Sequence, residues 1–219
     1  MLKYVLEGLG LLILGFAVYW KFTQISEVDL ISPLPQATVA PQITESLFSL
    51  DQAPSQSLRG TITGLTGEVK FLGRTATEAA LVATSGVIIQ QGENYMTGNN
   101  STLAFSFEPS YSVWMNELTE VDIIQTLPTA MVVSQVDGTA RYKTPDNAPI
   151  SIRTAYLLTQ LTGEATVERD STEATVRVTV ASGSAIAAYN DLDYQSHTVE
   201  IEAGNEFQFN YGTRKAVLK

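Results

Sequence analysis

The single histidine of the chain, His197, is the first candidate for chemistry, because it follows Ser196 and lies close to two aspartates. A serine hydrolase needs a nucleophile, a base and an orienting acid that converge in space. Consecutive residues of a strand point to opposite faces, so Ser196 is a poor partner for His197. We therefore expect His197 at the solvent-exposed edge of a hairpin, and the sequence predicts no catalytic residue and no enzyme.

Metal and cofactor chemistry finds little support either. The segment Asn190–Asp193 offers carboxylate and amide oxygens, which Ca²⁺ prefers, but it lacks the length and glycine pattern of a dedicated calcium loop. A polar turn is the simpler interpretation. The chain has no cysteine, which excludes disulfides and thiolate sites. Gly60, Gly64 and Gly67 are not followed by the lysine of a phosphate-binding loop, so we predict no metal and no cofactor.

Trp114 is the candidate for contact with a partner. In the segment around it, Tyr111, Val113 and Met115 alternate along the chain and are predicted to fill the core from one face of a strand. This alternation leaves Trp114 on the other face. An aromatic side chain exposed there could bind a glycan or another protein.

The strands that would carry these residues are indicated by alternating apolar and polar residues from Leu58 onward. In Glu173–Val180 the apolar residues predicted to face the core are Ala174, Val176, Val178 and Val180. Glycine and other turn-forming residues separate such segments, among them Gly73, Gly92, Gly98, Asp137-Gly138, Gly163, Gly183, Asn190-Asp191 and Gly204. Short, half-buried strands at close spacing predict an all-β domain, an antiparallel sandwich or roll.

One segment, Asn116–Leu127, fits two kinds of secondary structure. Leu118, Val121 and Ile124 have helical spacing, whereas Val121, Asp122 and Ile123 alternate as in a strand. We predict a strand and keep the helix as the alternative.

The N-terminal segment from Tyr4 to Trp20 is almost entirely apolar, and Glu7 is its only acidic residue. As a helix it would be roughly 25 Å long, slightly less than the hydrocarbon core of a bilayer. Lys3 and Lys21 flank it and can reach the interface. These features predict a single transmembrane helix.

Two other interpretations of this segment remain. A cleaved secretory signal would need small residues soon after the apolar core, but bulky residues, Tyr19 to Phe22, stand there. A helix that is apolar on all sides could also be buried in a soluble protein, although the polar, strand-like remainder offers little cover. One lysine at each end leaves the orientation of the helix almost undecided by charge alone.

Composition sets the remaining limits. The formal net charge is −10, with 13 lysines and arginines against 23 aspartates and glutamates, so binding to nucleic acid is not expected. Residues 23–57 contain four prolines among Ser, Thr and Gln, which predicts an extended linker or stalk. We therefore divide the chain into an anchor (1–22), a linker (23–57) and a β domain (58–219).

Several of these motifs resemble the FecR domain. The resemblance begins at Gly67–Val69, continues through the turn Gly92–Gly98 and reaches the strand Ser101–Phe107. The later segments that are also similar are Ile150–Thr154, Gly163–Val167, Val176–Ser184 and Val199–Glu206. At the hairpin after the strand that contains Phe105, where family members usually have Asp-Gly, this chain has Glu108-Pro109-Ser110.

The resemblance implies an all-β domain outside the cytoplasmic membrane of a bacterium, held by one helix with a cytoplasmic N-terminus. FecR proteins join this domain to a cytoplasmic anti-sigma region and to a C-terminal module, neither of which is recognisable here. We therefore expect a non-catalytic binding or sensing module whose partner is an unknown envelope protein or polymer. A self-associating structural subunit of the envelope, a homo-oligomer, is the alternative.

Overall fold

The computed structural model describes residues 56–81, 86–108, 111–145 and 148–219. The predicted anchor, Tyr4 to Trp20, and the predicted linker up to residue 55 lie outside the described residues. None of the described segments contains a helix with the length and hydrophobicity that a membrane crossing requires.

The described residues form β-strands and turns without an α-helix, so the predicted all-β class is confirmed. The strands are β1 Gly60–Thr66, β2 Val69–Leu72, β3 Ala80–Leu81, β4 Ile88–Ile89, β5 Asn94–Thr97, β6 Thr102–Phe107, β7 Tyr111–Met115, β8 Glu120–Leu127, β9 Ala130–Lys143, β10 Ile150–Thr154, β11 Leu157–Asp170, β12 Thr175–Asn190, β13 Ser196–Glu202, β14 Glu206–Asn210 and β15 Lys215–Leu218.

The strands hydrogen-bond in the order β15-β14-β12-β11-β10-β9-β7-β6-β1-β4. In addition β13 pairs with β12, and the series β3-β2-β5-β8 joins the sheet at β9. All these pairs are antiparallel except β9 with β10, which run parallel. The sheet formed by the described residues is therefore mixed: the predicted antiparallel arrangement holds for the other strand pairs but not for β9 with β10.

The length of the connection after β9 explains how a parallel pair arises. Ile150 pairs with Met131, although it follows Lys143, the last residue of β9, by only seven residues. Seven extended residues reach at most about 25 Å, whereas a straight β9 would separate Met131 from Lys143 by about 40 Å. β9 must therefore bend so that its two ends approach each other.

The pairing of β9 shows where this bend lies. Its first half pairs with β8 and β10, and its second half pairs with β7 and β11. Asp137 and Gly138, which the sequence suggested as a turn, lie between the two halves and inside the strand, and Gly138 has φ +81°. The predicted chain reversal at Asp137-Gly138 was therefore wrong, because the glycine serves a bend within a strand.

The core is one cluster to which nearly every strand contributes alternate residues. Its largest fully buried side chains are Tyr95, Tyr111, Tyr142, Phe105, Phe107, Phe207 and Phe209. In β12 the predicted inward residues Val176, Val178 and Val180 are buried. Ala174 is an exception, since it precedes β12 with φ +54°, and Thr175 is buried at the strand end instead of facing solvent.

The ambiguous segment Asn116–Leu127 is a strand over Glu120–Leu127, as predicted. Val121 and Ile123 point into the core, and Ile124 is largely exposed. Leu118, which would have been part of a helical face, lies in the turn before β8 with φ +53° and is 60% exposed.

Candidate functional site

Trp114 lies on the outer face of β7, while its neighbours in the strand face the core. Tyr111, Val113 and Met115 are each at most 1% exposed, which confirms the prediction from alternation. Trp114 is half-buried. Because the two flanking strands, β6 and β9, hold β7 along its length, the indole is fixed on a sheet and not on a loop.

Strand register places Trp114 in a row that crosses five strands. The residues that stand opposite one another are, in order, Gly64 on β1, Ala104 on β6, Trp114 on β7, Arg141 on β9 and Thr166 on β11. On one side of the indole the row has a methyl group and then no side chain at all. On the other side it has a guanidinium. The indole therefore borders a low floor two strands wide, about 10 Å across.

Arg141 stacks on Trp114. The guanidinium carbon lies 4.2 Å from the centroid of the ring, within the range of a cation–π contact. The Nη1 of Arg141 also lies 3.6 Å from Oε1 of Glu164, so the guanidinium is paired with a carboxylate as well as with the indole. Both side chains are partly exposed, so this ion pair orients Arg141 more than it stabilises the fold.

The floor beside Trp114 belongs to a groove of about 490 Å³. Its described lining residues are Gly64, Leu65, Thr66, Thr102, Leu103, Ala104, Trp114, Met115, Asn116, Thr139, Arg141 and Thr166. The hydroxyls of Thr66 and Thr102 hydrogen-bond each other at 2.6 Å across β1 and β6. Among these lining residues only Arg141 has an ionisable side chain, so the groove offers hydrogen bonds and an aromatic surface but no acid–base pair.

His197 lies on β13, which pairs only with β12 among the described strands. Its Nε2 is 2.7 Å from Oδ2 of Asp191, and its ring stacks on Tyr189 with centroids 5.1 Å apart. The Ser196 hydroxyl donates to Oδ1 of Asn190 at 2.9 Å instead of pairing with His197. The Ser196 hydroxyl is therefore engaged with Asn190, and the imidazole of His197 with Asp191.

Asp191 organises the hairpin between β12 and β13. Its Oδ1 accepts hydrogen bonds from the backbone N–H groups of Asp193 and Gln195, each at 2.9 Å. The hydrogen bond with His197, followed by those from the backbone, lowers the pKa of Asp191 below its ordinary value of 3.8. Both carboxylate oxygens are thus engaged within the hairpin. Within the described residues no group of three or more His, Asp or Glu side chains is placed to hold a metal ion.

A second groove, of about 370 Å³, lies beside this hairpin. Tyr156, in the turn between β10 and β11, lines it, and the guanidinium carbon of Arg214 lies 3.4 Å from the centroid of the Tyr156 ring. Nothing in the sequence singled out Tyr156 or Arg141, because cross-strand neighbours far apart in the chain leave no local pattern. Trp114, by contrast, was found from the alternation around it.

No protein-family model matches this sequence, and no curated protein is detectably similar to it. Among solved structures, two crystal structures at 2.50 and 1.65 Å resolution are similar, each described as a putative anti-sigma factor from Parabacteroides distasonis. Each has a TM-score of 0.50 and 12% sequence identity, over 57% of this chain and 58% of the other. At this identity the likeness shows a shared fold. It agrees only at a coarse level with the resemblance to FecR proteins.

Proposed function

We propose that this chain is a single-pass membrane protein whose β domain, residues 58–219, is a FecR-like, non-catalytic module for binding or sensing in the bacterial cell envelope. In this proposal Tyr4 to Trp20 spans the cytoplasmic membrane with the N-terminus inside the cell. Residues 23–57 act as a stalk, and the β domain projects outward.

The groove beside Trp114 carries this proposal. It presents an aromatic ring and hydroxyl groups on five hydrogen-bonded strands, a rigid surface that suits recognition. Its described lining residues provide no nucleophile with a base, and the pair of His197 and Asp191 lies in another part of the fold. A binding site without reactive groups is what a sensing domain requires.

The similar crystal structures favour a regulatory role for such a module, since each is described as a putative anti-sigma factor. The chain spans 58% of the length of those structures, so their activity as whole proteins does not transfer with the fold. We assign to the β domain of this chain the extracytoplasmic binding part of such a system.

Photo-crosslinking in intact cells tests the binding role. A photoreactive amino acid replaces Asn116, an exposed residue that lines the groove and leaves Trp114 in place. The control position is Gln160, which is exposed on β11 outside this groove. We expect an adduct from Asn116 and not from Gln160. The absence of any adduct specific to Asn116 would contradict a binding role for this face.

Protease protection tests the proposed topology. In cells whose outer layers have been opened, added protease should degrade the β domain while leaving cytoplasmic proteins intact. A β domain that survives until the cytoplasmic membrane is lysed would rule out the outward orientation. A mature chain that begins after Phe22 would instead show that the N-terminal segment is a cleaved signal.

The self-associating subunit remains a second candidate because of the strand β15. Among the described strands β15 pairs only with β14, and Val217 and Leu218 are 57% and 46% exposed on it. An edge strand that exposes apolar side chains is a site where a second sheet can add. Light scattering of the full chain in detergent should then give an oligomer that Val217→Lys dissociates, whereas a monomeric wild type would eliminate this candidate.

A further inference from the structure

We infer that the groove beside Trp114 binds a neutral oligosaccharide, such as a segment of an envelope glycan. This inference rests on the proposed function, because it names the ligand class of the same binding face. The groove combines an aromatic ring, a shallow floor and several hydroxyl groups, and each of these features matches one property of a sugar ring.

The shape beside the indole suits a flat ring. Gly64 and Ala104 follow Trp114 in the cross-strand row, so the space next to the indole is not filled by side chains. Arg141 occupies the opposite side of the row. A pyranose can therefore lie on the floor over Ala104 with its C–H groups against the indole, where dispersion contacts add up.

Hydroxyl groups line the groove on both sides of Trp114: Thr66 and Thr102 on β1 and β6, and Thr139 and Thr166 on β9 and β11. Thr66 and Thr102 are exposed, and Thr139 and Thr166 are half-buried in the same groove. A threonine hydroxyl both donates and accepts hydrogen bonds, as does each hydroxyl of a sugar. The hydrogen bond between Thr66 and Thr102 orients both hydroxyls in advance, so a ligand does not have to order them.

The charges favour a neutral ligand. Arg141 is the only cation among the described lining residues, and it is already paired with Glu164 at 3.6 Å. The chain as a whole has a formal net charge of −10, which repels an acidic polymer. An anionic glycan would therefore lack a free cation in the groove.

A sugar explains the lining better than a protein does. Leu103 and Met115 line the groove but are each only 1% exposed, so apart from Trp114 few large apolar surfaces are available. Protein interfaces usually depend on a cluster of such anchors. The volume of about 490 Å³ falls within the range of small-ligand sites.

The test uses the full chain in lipid nanodiscs, prepared without sugar-based detergent. Cellotetraose and the tetramer of N-acetylglucosamine serve as neutral probes, with tetragalacturonate as the acidic probe, and binding is measured by saturation-transfer NMR titration. We expect saturable, millimolar or tighter binding of at least one neutral probe and weaker binding of the acidic one. Trp114→Ala should reduce the affinity at least about tenfold.

Matched variants separate the groove from the rest of the surface. Thr102→Val, which removes a hydroxyl in the groove, should weaken binding about threefold, whereas Thr179→Val, at an exposed threonine outside it, should not change the affinity. Tyr194→Ala removes an 86% exposed aromatic ring elsewhere and should also leave binding unchanged. Circular dichroism of each variant establishes that the fold is retained.

The possible outcomes distinguish this inference from the proposed function. No binding of either neutral probe at millimolar concentration, equal binding by Trp114→Ala, or tighter binding of tetragalacturonate would each overturn the inference. If the probes fail but crosslinking from Asn116 still yields a protein adduct, the binding function stands with a protein ligand. If both experiments fail, the proposed function falls as well.

Discussion

Gly163 and Gly183 stand directly opposite each other where β11 pairs with β12, and both have positive φ, +117° and +75°. The register of the two strands shifts immediately beyond them, between Glu164 and Ala165. The backbone of both strands therefore departs from regular β geometry at the same level. A β-bulge beside paired glycines lets both strands bend without separating.

The pair of glycines leads to a prediction about stability. A Cβ at residue 183 would overlap the carbonyl oxygen of Thr162 and lie 3.0 Å from the Cα of Gly163, so the backbone would have to move. We expect Gly183→Ala to lower the free energy of unfolding by about 2 to 4 kcal/mol, through backbone strain together with steric overlap. Urea unfolding followed by circular dichroism measures this change.

Gly204 provides the matched control. It also has positive φ, +89°, but a Cβ added there meets no atom within 4 Å. Gly204→Ala should therefore lower the free energy of unfolding by only about 1 kcal/mol, the cost of placing an alanine at positive φ. Equal costs at residues 183 and 204 would show that the close approach of β11 and β12 does not matter.

Gly163 and Gly183 also show which features of the fold could be predicted from the sequence and which could not. Alternation predicted the all-β class and the outward position of Trp114, since both depend on local periodicity. Gly163 and Gly183 were assigned to turns, yet both lie inside long strands. A glycine with positive φ serves a hairpin turn and a strand bend equally well, so the local sequence does not distinguish them.

Pairing between distant strands is the other part that the sequence could not predict. Arg141 stacks on Trp114 only because β9 lies beside β7, and β10 runs parallel to β9 only because β9 bends. The local sequence around these residues does not indicate either the stacking or the parallel pairing. The prediction therefore found the aromatic member of the groove and missed the guanidinium and the threonines.

Gln135 gives a second prediction, because it is a fully buried amide within β9. Its Nε2 donates to the carbonyl oxygens of Gly138 and Val167, and its Oε1 accepts from the Tyr142 hydroxyl at 3.0 Å. Gln135→Leu would remove the hydrogen bonds to these three groups, of which those to Val167 and Tyr142 are buried. We expect a loss of about 2 to 4 kcal/mol in the free energy of unfolding.

Tyr142→Phe serves as the comparison for Gln135→Leu. It removes one donor and leaves one amide oxygen unsatisfied, so we expect a smaller loss of about 1 to 2 kcal/mol. In the double variant the two losses should not add fully, since both remove the same hydrogen bond. Full additivity in urea unfolding would show that the contact between Gln135 and Tyr142 contributes nothing.

The buried hydroxyl of Tyr142 also predicts how stability depends on alkaline pH. Burial raises the pKa of Tyr142 well above its ordinary value of 10.0. Above pH 10 the unfolded chain loses this proton while the folded chain keeps it, so the stabilisation present below pH 10 declines as the pH rises. Each such tyrosine contributes a slope of about −1.4 kcal/mol per pH unit.

Tyr142→Phe should therefore make the fall in unfolding free energy above pH 10 shallower by about 1.4 kcal/mol per pH unit. Tyr95→Phe should do the same, because burial, and then the hydrogen bond and charge of Glu93, raise the pKa of Tyr95. The variant that combines Tyr142→Phe with Tyr95→Phe should change the slope about twice as much as either single variant. Urea unfolding at a series of alkaline pH values gives the slopes, and an unchanged slope in both single variants would contradict the argument.

The hairpin between β12 and β13 gives the last prediction, at acidic pH. The hydrogen bond from His197 is the largest cause of the lowered pKa of Asp191, and the backbone N–H groups of Gln195 and Asp193 add to it. His197→Phe keeps a ring that can stack on Tyr189 but removes this hydrogen bond. We expect the pKa of Asp191, measured by NMR of its carboxyl carbon, to rise toward 3.8 without reaching it.

The lowered pKa of Asp191 also predicts how the unfolding free energy of His197→Phe depends on pH. Because the folded-state pKa of Asp191 lies below its ordinary value, its stabilisation is present above pH 3.8 and is lost as the pH falls through the folded-state pKa. The difference in unfolding free energy between wild type and His197→Phe should therefore shrink below pH 3.8. Ser196→Ala is the control, since the Ser196 hydroxyl donates to Asn190. If Ser196→Ala moved the pKa of Asp191 as far as His197→Phe does, the shift would belong to the hairpin as a whole and not to the imidazole.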